Sequence, residues 1–113
     1  VEQLNQFNLA YLHVVERFGD DSDKGFDFNV LRQSFNGAYI ANGSYTAESA
    51  EQSLNNDLSD FFAFGVPFIA NPDLPARLKQ GAVLNQADSD TFYCGDAKGY
   101  TDYPSLNEQF RPA

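Results

Sequence analysis

Residues 28–65 read FNVLRQSFNGAYIANGSYTAESAEQSLNNDLSDFFAFG, and the spacing of their apolar residues changes period several times. Phe28, Leu31, Arg32 and Phe35 recur at helical intervals, and Asn36-Gly37 supplies the stop. Ala38-Tyr39-Ile40-Ala41 follows as a short strand. Asn42-Gly43-Ser44-Tyr45-Thr46 turns the chain, with Thr46 as an N-cap. Ala47, Ala50, Leu54 and Leu58 are then expected to line one face of a helix that carries Glu48 and Glu51 in its first turn. Asp60 to Phe64 is a further strand ending at Gly65. Upstream, Ala10-Tyr11-Leu12-His13-Val14-Val15-Glu16 is rich in β-branched and aromatic residues and reads as a buried strand. Strands alternating with helices of about ten residues predict βα units, a parallel sheet and an α/β fold.

The flanks are less regular. Glu2 to Asn8, with Leu4 and Phe7 three apart, suits the end of a helix. Gly19-Asp20-Asp21-Ser22-Asp23-Lys24-Gly25 is a loop by composition. Pro67, Pro72 and Pro75 prevent a long regular element after Gly65. A short helix is expected from about Asp73 to Lys79, closed by Gly81. From Leu84 to Ala113 the chain reads mostly as loop, with Thr91-Phe92-Tyr93 and Gly99-Tyr100-Thr101-Asp102-Tyr103-Pro104 as aromatic knots that must pack on something.

Composition narrows the function classes. The 113 residues make a single segment, 1–113, with room for one domain. Seven Lys and Arg against 16 Asp and Glu leave a net charge of -9, the wrong sign for a nucleic-acid or anionic-membrane partner. No apolar run approaches the ~20 residues of a bilayer span, and the first 20 residues have no signal-peptide core, so a soluble, cytoplasmic chain is expected. One cysteine, Cys94, fits a reducing compartment, and with His13 as the sole histidine a His/Cys metal site is excluded. A chain opening on Val1 instead of Met suggests a start that has been removed.

Two turns share one geometry. Asn42-Gly43-Ser44 follows one strand and Gly65-Val66 follows the next, each where a strand end meets a helix start. Free N–H groups beside glycine can cradle a phosphate there, and in parallel barrels the loops after the last two strands often do so. The same glycines could equally close tight turns. Tyr93 can line a pocket and offer a hydrogen bond, or serve as a packing residue of the tail. His13 reads as a packed or hydrogen-bonded strand residue, and Asp57 and Asp60 as a helix end and a strand start. The acidic loop lacks the ligand spacing of a calcium site, and Cys94 reads as structural. No catalytic residue and no metal ligand is assigned.

Ala10 to Glu16, Phe64-Gly65-Val66-Pro67-Phe68-Ile69-Ala70-Asn71-Pro72-Asp73-Leu74, Thr91-Phe92-Tyr93 and Gly99 to Pro104 together resemble the C-terminal third of the old yellow enzyme family, the FMN-dependent ene-reductases. The resemblance covers nearly the whole chain in order. It implies part of a (β/α)8 TIM barrel: strands six to eight with their helices and the closing tail, the first five strands being absent. It also implies FMN as cofactor, NAD(P)H as hydride donor and an alkene conjugated to a carbonyl or nitro group as substrate. The family's substrate-holding His/Asn or His/His pair and proton-donating Tyr lie in the earlier part of the barrel, and His13 does not match them. Gly43 and Ser44, with Asn42 before them, match the phosphate turn after strand seven, and Gly65 matches the glycine after strand eight. Tyr93 matches an aromatic residue of the substrate pocket. Val66 departs from the family, which usually places there an Arg that pairs with the phosphate. Losing a charge-assisted bond of ~1.5–3 kcal/mol would weaken FMN binding by about one to two orders of magnitude.

The expected function is therefore the C-terminal portion of an FMN-dependent NAD(P)H oxidoreductase, inactive as an isolated chain and completed by the missing barrel portion or by self-association. The alternative is a non-catalytic remnant that associates through its open sheet.

Overall fold

In the computed structural model, which describes residues 1–16, 26–93 and 95–109, the apolar runs become three parallel strands. They are β1 (Tyr11–Val15), β2 (Ala38–Asn42) and β3 (Phe61–Ala63), and they lie side by side in that order. Tyr11 pairs with Ala38 and Val15 with Asn42 on one side of β2, and Ile40 with Phe61 and Asn42 with Ala63 on the other. The chain groups into two compact units, Val1–Ala63 and Phe64–Ala113. The acidic loop 19–25, Cys94 and the last residues of the tail lie outside the described residues.

In the first unit the sheet has two unlike faces. Tyr39 and Ala41 on β2 have no exposed surface, while the alternate residues of the same strand are half-buried. In a parallel register, partners point to the same side, so Leu12, Val14 and Phe62 share the covered face. Tyr11, His13, Val15, Ile40 and Phe61 occupy the other. There Tyr11 is 57% exposed, Val15 42% and Phe61 59%. The expectation of a buried β1 is thus corrected: only one of its faces is covered. Parallel sheets are ordinarily covered on both, so apolar residues were chosen here for a face that these strands do not themselves close.

β3 is shorter than the expected Asp60–Phe64, and Ser59 and Asp60 show why. The Asp60 carboxylate accepts from the Tyr39 N–H at 2.7 Å and from the Arg32 guanidinium at 2.9 Å, while the Asp60 N–H donates to the Tyr39 carbonyl at 3.0 Å. The Ser59 hydroxyl accepts from the Ala41 N–H at 3.3 Å and donates to the Tyr39 carbonyl at 3.1 Å. Side chains thus occupy β2 groups that a longer β3 would pair, satisfying them without a ladder.

The helices form where capping allows. Helix α1 (Asn29–Ser34) ends two residues before Asn36, because the Asn5 side chain donates to the Ser34 carbonyl and accepts from the Asn36 N–H, both at 2.9 Å. Gly37 is required by close approach: a Cβ there would lie 2.7 Å from the Phe35 ring and 2.9 Å from the Leu9 carbonyl oxygen. Helix α2 (Ala47–Asn55) starts at Thr46 with a reciprocal capping box to Ser49. It stops before Leu58, which does not continue its face, because Asp57 turns into the left-handed region at φ 56°. Residues Glu2–Phe7 form a 3-10 helix.

In the second unit the prolines do not abolish helices; they sit in the first turns of α3 (Val66–Ala70) and α4 (Leu74–Gln80), where a missing N–H costs nothing. Gly81, at φ 62°, closes α4 as expected. The irregular tail, which includes α5 (Leu106–Gln109), packs on a polar core. Asn71 is fully buried; its side chain donates to the Pro67 carbonyl at 2.8 Å and accepts from the Asn85 N–H at 2.7 Å. Arg77, also fully buried, donates to Asp73 at 2.7 Å, to the Val83 carbonyl at 2.6 Å and to the Pro104 carbonyl at 2.8 Å. The other Asp73 oxygen accepts from the Leu106 N–H at 2.7 Å.

The Leu106 N–H and then Arg77 hold the Asp73 carboxyl below its usual range. A depressed carboxyl stabilises the fold above its unfolded value near 3.8, and that contribution is lost as the pH falls through the lower folded value. Replacing Arg77→Met removes three hydrogen bonds and leaves the Val83 carbonyl without its donor, while Asn85 still donates to the Pro104 carbonyl, and is expected to cost about 3 kcal/mol. Amide hydrogen exchange should show residues 83–85 together with Ser105 and Leu106 deprotected in this variant. Wild-type protection of the Leu106 amide should likewise fall only below about pH 4.

Candidate functional site

The C-terminal ends of the three strands share one edge of the sheet because all are parallel, and Val15, Asn42 and Ala63 stand in register there. This is where α/β sheets bind ligands, beyond the carboxyl ends of their strands. Of the residues singled out in sequence, Asn42, Gly43 and Ser44 leave this edge together in the first unit. Gly65, Val66 and Tyr93 belong to the second.

Gly43 adopts φ 141°, a conformation that L side chains rarely take, and its carbonyl accepts from the Tyr45 N–H. The glycine does close a tight turn, and the same turn leaves Ser44 exposed with its N–H meeting no acceptor among the described residues. Gly43, Ser44 and Tyr45 border a cavity of about 360 Å³ whose other lining residues are Ser49, Gln52, Ser53, Asn56 and Leu58. Hydroxyls and amides line it, with no carboxylate among the described residues there, which suits an anionic group. Asn42 also reaches across to β1, its amide nitrogen 3.5 Å from His13 Nε2. His13 is exposed and so is not packed in a core, and polar contact with Asn42 is what it makes. Asp60 lies just before β3 and not in it, bound to Arg32 and Tyr39, and Asp57 follows the end of α2.

At Gly65 an added Cβ would meet nothing within 4 Å, so no protein atom accounts for the glycine. Val66 opens α3 and is 51% exposed, an apolar side chain in contact with water. Tyr93 is 97% exposed, so it is not the packing tyrosine of a tail clamp; its ring meets Phe92 edge-on at 6.3 Å. Among the described residues, no three His, Cys, Asp or Glu side chains gather to hold a metal ion, and no helix is long and apolar enough to cross a membrane.

Sequence reasoning missed the polar cluster beneath the turn. Glu16, just past β1, is only 7% exposed. Its carboxylate accepts from the Tyr39 hydroxyl at 2.8 Å and, through the other oxygen, from the Tyr45 hydroxyl. The Tyr45 ring also stacks edge-on against Phe62, with centroids 4.6 Å apart. Two-residue periodicity was the available signal: Leu12, Val14 and Glu16 fall on one face, which places a carboxylate on the covered side of the sheet.

The chain belongs to the NADH:flavin oxidoreductase / NADH oxidase family, whose sequence model matches residues 1–85. It is 37% identical over 111 residues to 12-oxophytodienoate reductase 2 of Arabidopsis thaliana, an alignment covering 94% of this chain and 30% of that one. Morphinone reductase in complex with tetrahydroNAD superposes with a TM-score of 0.83 at 45% identity, over 99% of this chain and 30% of the enzyme. The old yellow enzyme from Trypanosoma cruzi gives 0.87 at 36% identity, over 94% and 28%. The chain therefore spans about 30% of the length of the relatives it matches. The family implies FMN. In the first unit, the exposed Ser44 N–H and the hydroxyls and amides that line the cavity beside it fit an anionic group such as its phosphate.

Burial first, and then the hydrogen bond to Glu16, push the Tyr39 phenol far above its ordinary value. A raised phenol stabilises the fold below the unfolded value of 10.0, and this contribution is lost progressively as the pH climbs above it. An ultraviolet titration of phenolate formation should therefore find one tyrosine that ionises only as the chain unfolds. In Tyr39→Phe that late component should vanish.

Proposed function

We propose that this chain is the C-terminal portion of an FMN-dependent NAD(P)H oxidoreductase acting on activated alkenes, in which it forms strands six to eight of a (β/α)8 barrel. The observation that carries the reading is the turn at Gly43-Ser44: a glycine at φ 141° that leaves the following Ser44 N–H without an acceptor among the described residues, at the carboxyl edge of a parallel sheet, in a chain of this family. Gly43 and Ser44, with Asn42 before them, are assigned to the FMN phosphate through backbone N–H groups, and Gly65 and Val66 are assigned to the same cofactor. Held there, FMN would supply hydride-transfer chemistry between a nicotinamide and the alkene. The residues of this chain bind and orient; none of them moves a proton in the reaction. Tyr93 stands as one wall of the substrate pocket, its exposed ring offering an apolar face and a hydroxyl. A cytoplasmic location is proposed on the single cysteine.

The uncovered sheet face supports the other half of the reading. Tyr11, Val15 and Phe61 are exposed together on one side of the sheet, where the rest of a barrel, or a second copy of the chain, would exclude water from them. Catalysis is assigned to the completed barrel, and the isolated chain is inactive. A remnant that only associates is the second reading, favoured by that same face and by Val66.

Two measurements test this. Titration of the chain with FMN, followed by flavin fluorescence, should give saturable binding that Val66→Arg tightens by about ten- to a hundredfold through a charge-assisted bond. An affinity unmoved by Val66→Arg would remove residue 66 from the cradle, and no binding at all would favour the remnant. Sedimentation of the isolated chain should show self-association that Phe61→Glu reduces; a monodisperse wild-type monomer would count against the open face as an association surface.

A further inference from the structure

We propose that Glu16 is a positioning residue that sets the Gly43-Ser44 turn for phosphate, acting through the hydroxyl of Tyr45. The inference rests on the reading of that turn as the FMN phosphate site. It begins from a buried carboxylate that binding and catalysis do not otherwise use. Glu16 lies at the end of β1, is 7% exposed, and accepts from two phenols, Tyr39 at 2.8 Å and Tyr45. A carboxylate in such a place is costly unless donors surround it, and here two phenols do so.

The two phenols differ in where they lead. Tyr39 is a fully buried residue of β2, already fixed by the Asp60 and Ser59 side chains that bind its backbone. Tyr45 follows Ser44 directly, lies outside any strand or helix, and is held from one side by Glu16 and from the other by the Phe62 ring at 4.6 Å. The turn is three residues long, closed by the bond from the Tyr45 N–H to the Gly43 carbonyl. A displaced Tyr45 therefore carries the Ser44 N–H with it. By anchoring Tyr45 to the end of β1, Glu16 fixes the direction of that N–H before any ligand arrives, so less ordering is left to be done on binding.

The experiment compares FMN with riboflavin, which carries the same ring without the phosphate, by fluorescence titration of the full chain as wild type, Glu16→Gln, Glu16→Ala, Tyr45→Phe and Tyr39→Phe. Expected is a preference for FMN that falls about tenfold in Tyr45→Phe and Glu16→Ala, with riboflavin affinity unchanged. Glu16→Gln, whose amide oxygen still accepts from Tyr45, should recover most of the preference. Tyr39→Phe loses a buried hydrogen bond of the same carboxylate but not the link to the turn, and should keep it. Equal weakening of both flavins, or a loss in Tyr39→Phe matching that in Tyr45→Phe, would show a purely structural role and overturn the proposal. A wild type preferring FMN while Glu16→Ala and Tyr45→Phe retain the preference would overturn it alone. A wild type binding both flavins equally would overturn the phosphate reading of the turn, and this proposal with it.

Discussion

The Glu16 carboxylate is the point at which the first unit is tied together. Taking a carboxylate out of water is costly, and donors of good geometry are the means by which a fold tolerates it. Here the donors come from the middle strand, through Tyr39, and from the turn after it, through Tyr45. The Tyr45 ring then reaches Phe62 on the third strand. One side chain thus links the end of β1 to a residue of the middle strand and, through Tyr45, to the third. A parallel sheet gains nothing from hairpins, since each strand must return by a crossover, and side-chain links of this kind fix strand ends that no tight turn holds.

The same economy recurs elsewhere. Asp60 and Ser59 satisfy groups of Tyr39 and Ala41 that a longer third strand would pair. Asn5 caps the end of α1 from a distant segment. In the second unit Asn71, Asp73 and Arg77 hold an irregular tail through backbone carbonyls and N–H groups. Few apolar side chains are fully buried in the described residues, and polar links carry much of the specificity. Such a balance accompanies a sheet that leaves one apolar face exposed.

The site follows from this architecture. A turn at the carboxyl edge of a parallel sheet must expose N–H groups that no ladder pairs, and glycine at φ 141° lets the chain present one of them outward. The family relationship is what makes this exposed N–H the candidate for an anionic group.

Sequence alone determined the alternation of strand and helix, the Thr46 cap, the Gly81 stop and the glycine-bearing turn, because these depend on local spacing and on backbone conformations that few residues adopt. It also carried the resemblance, in segments such as Asn71 to Leu74. It misjudged the burial of β1, the length of β3 and the end of α2, because an apolar run does not say how many of its faces will be covered and a strand's length depends on what its neighbour already bonds. Glu16 was read as the last residue of a strand. Only the tertiary structure brought Tyr39, Tyr45 and Phe62 around the end of β1, for those residues are 23, 29 and 46 positions from Glu16 in the sequence, and no local periodicity spans such a distance.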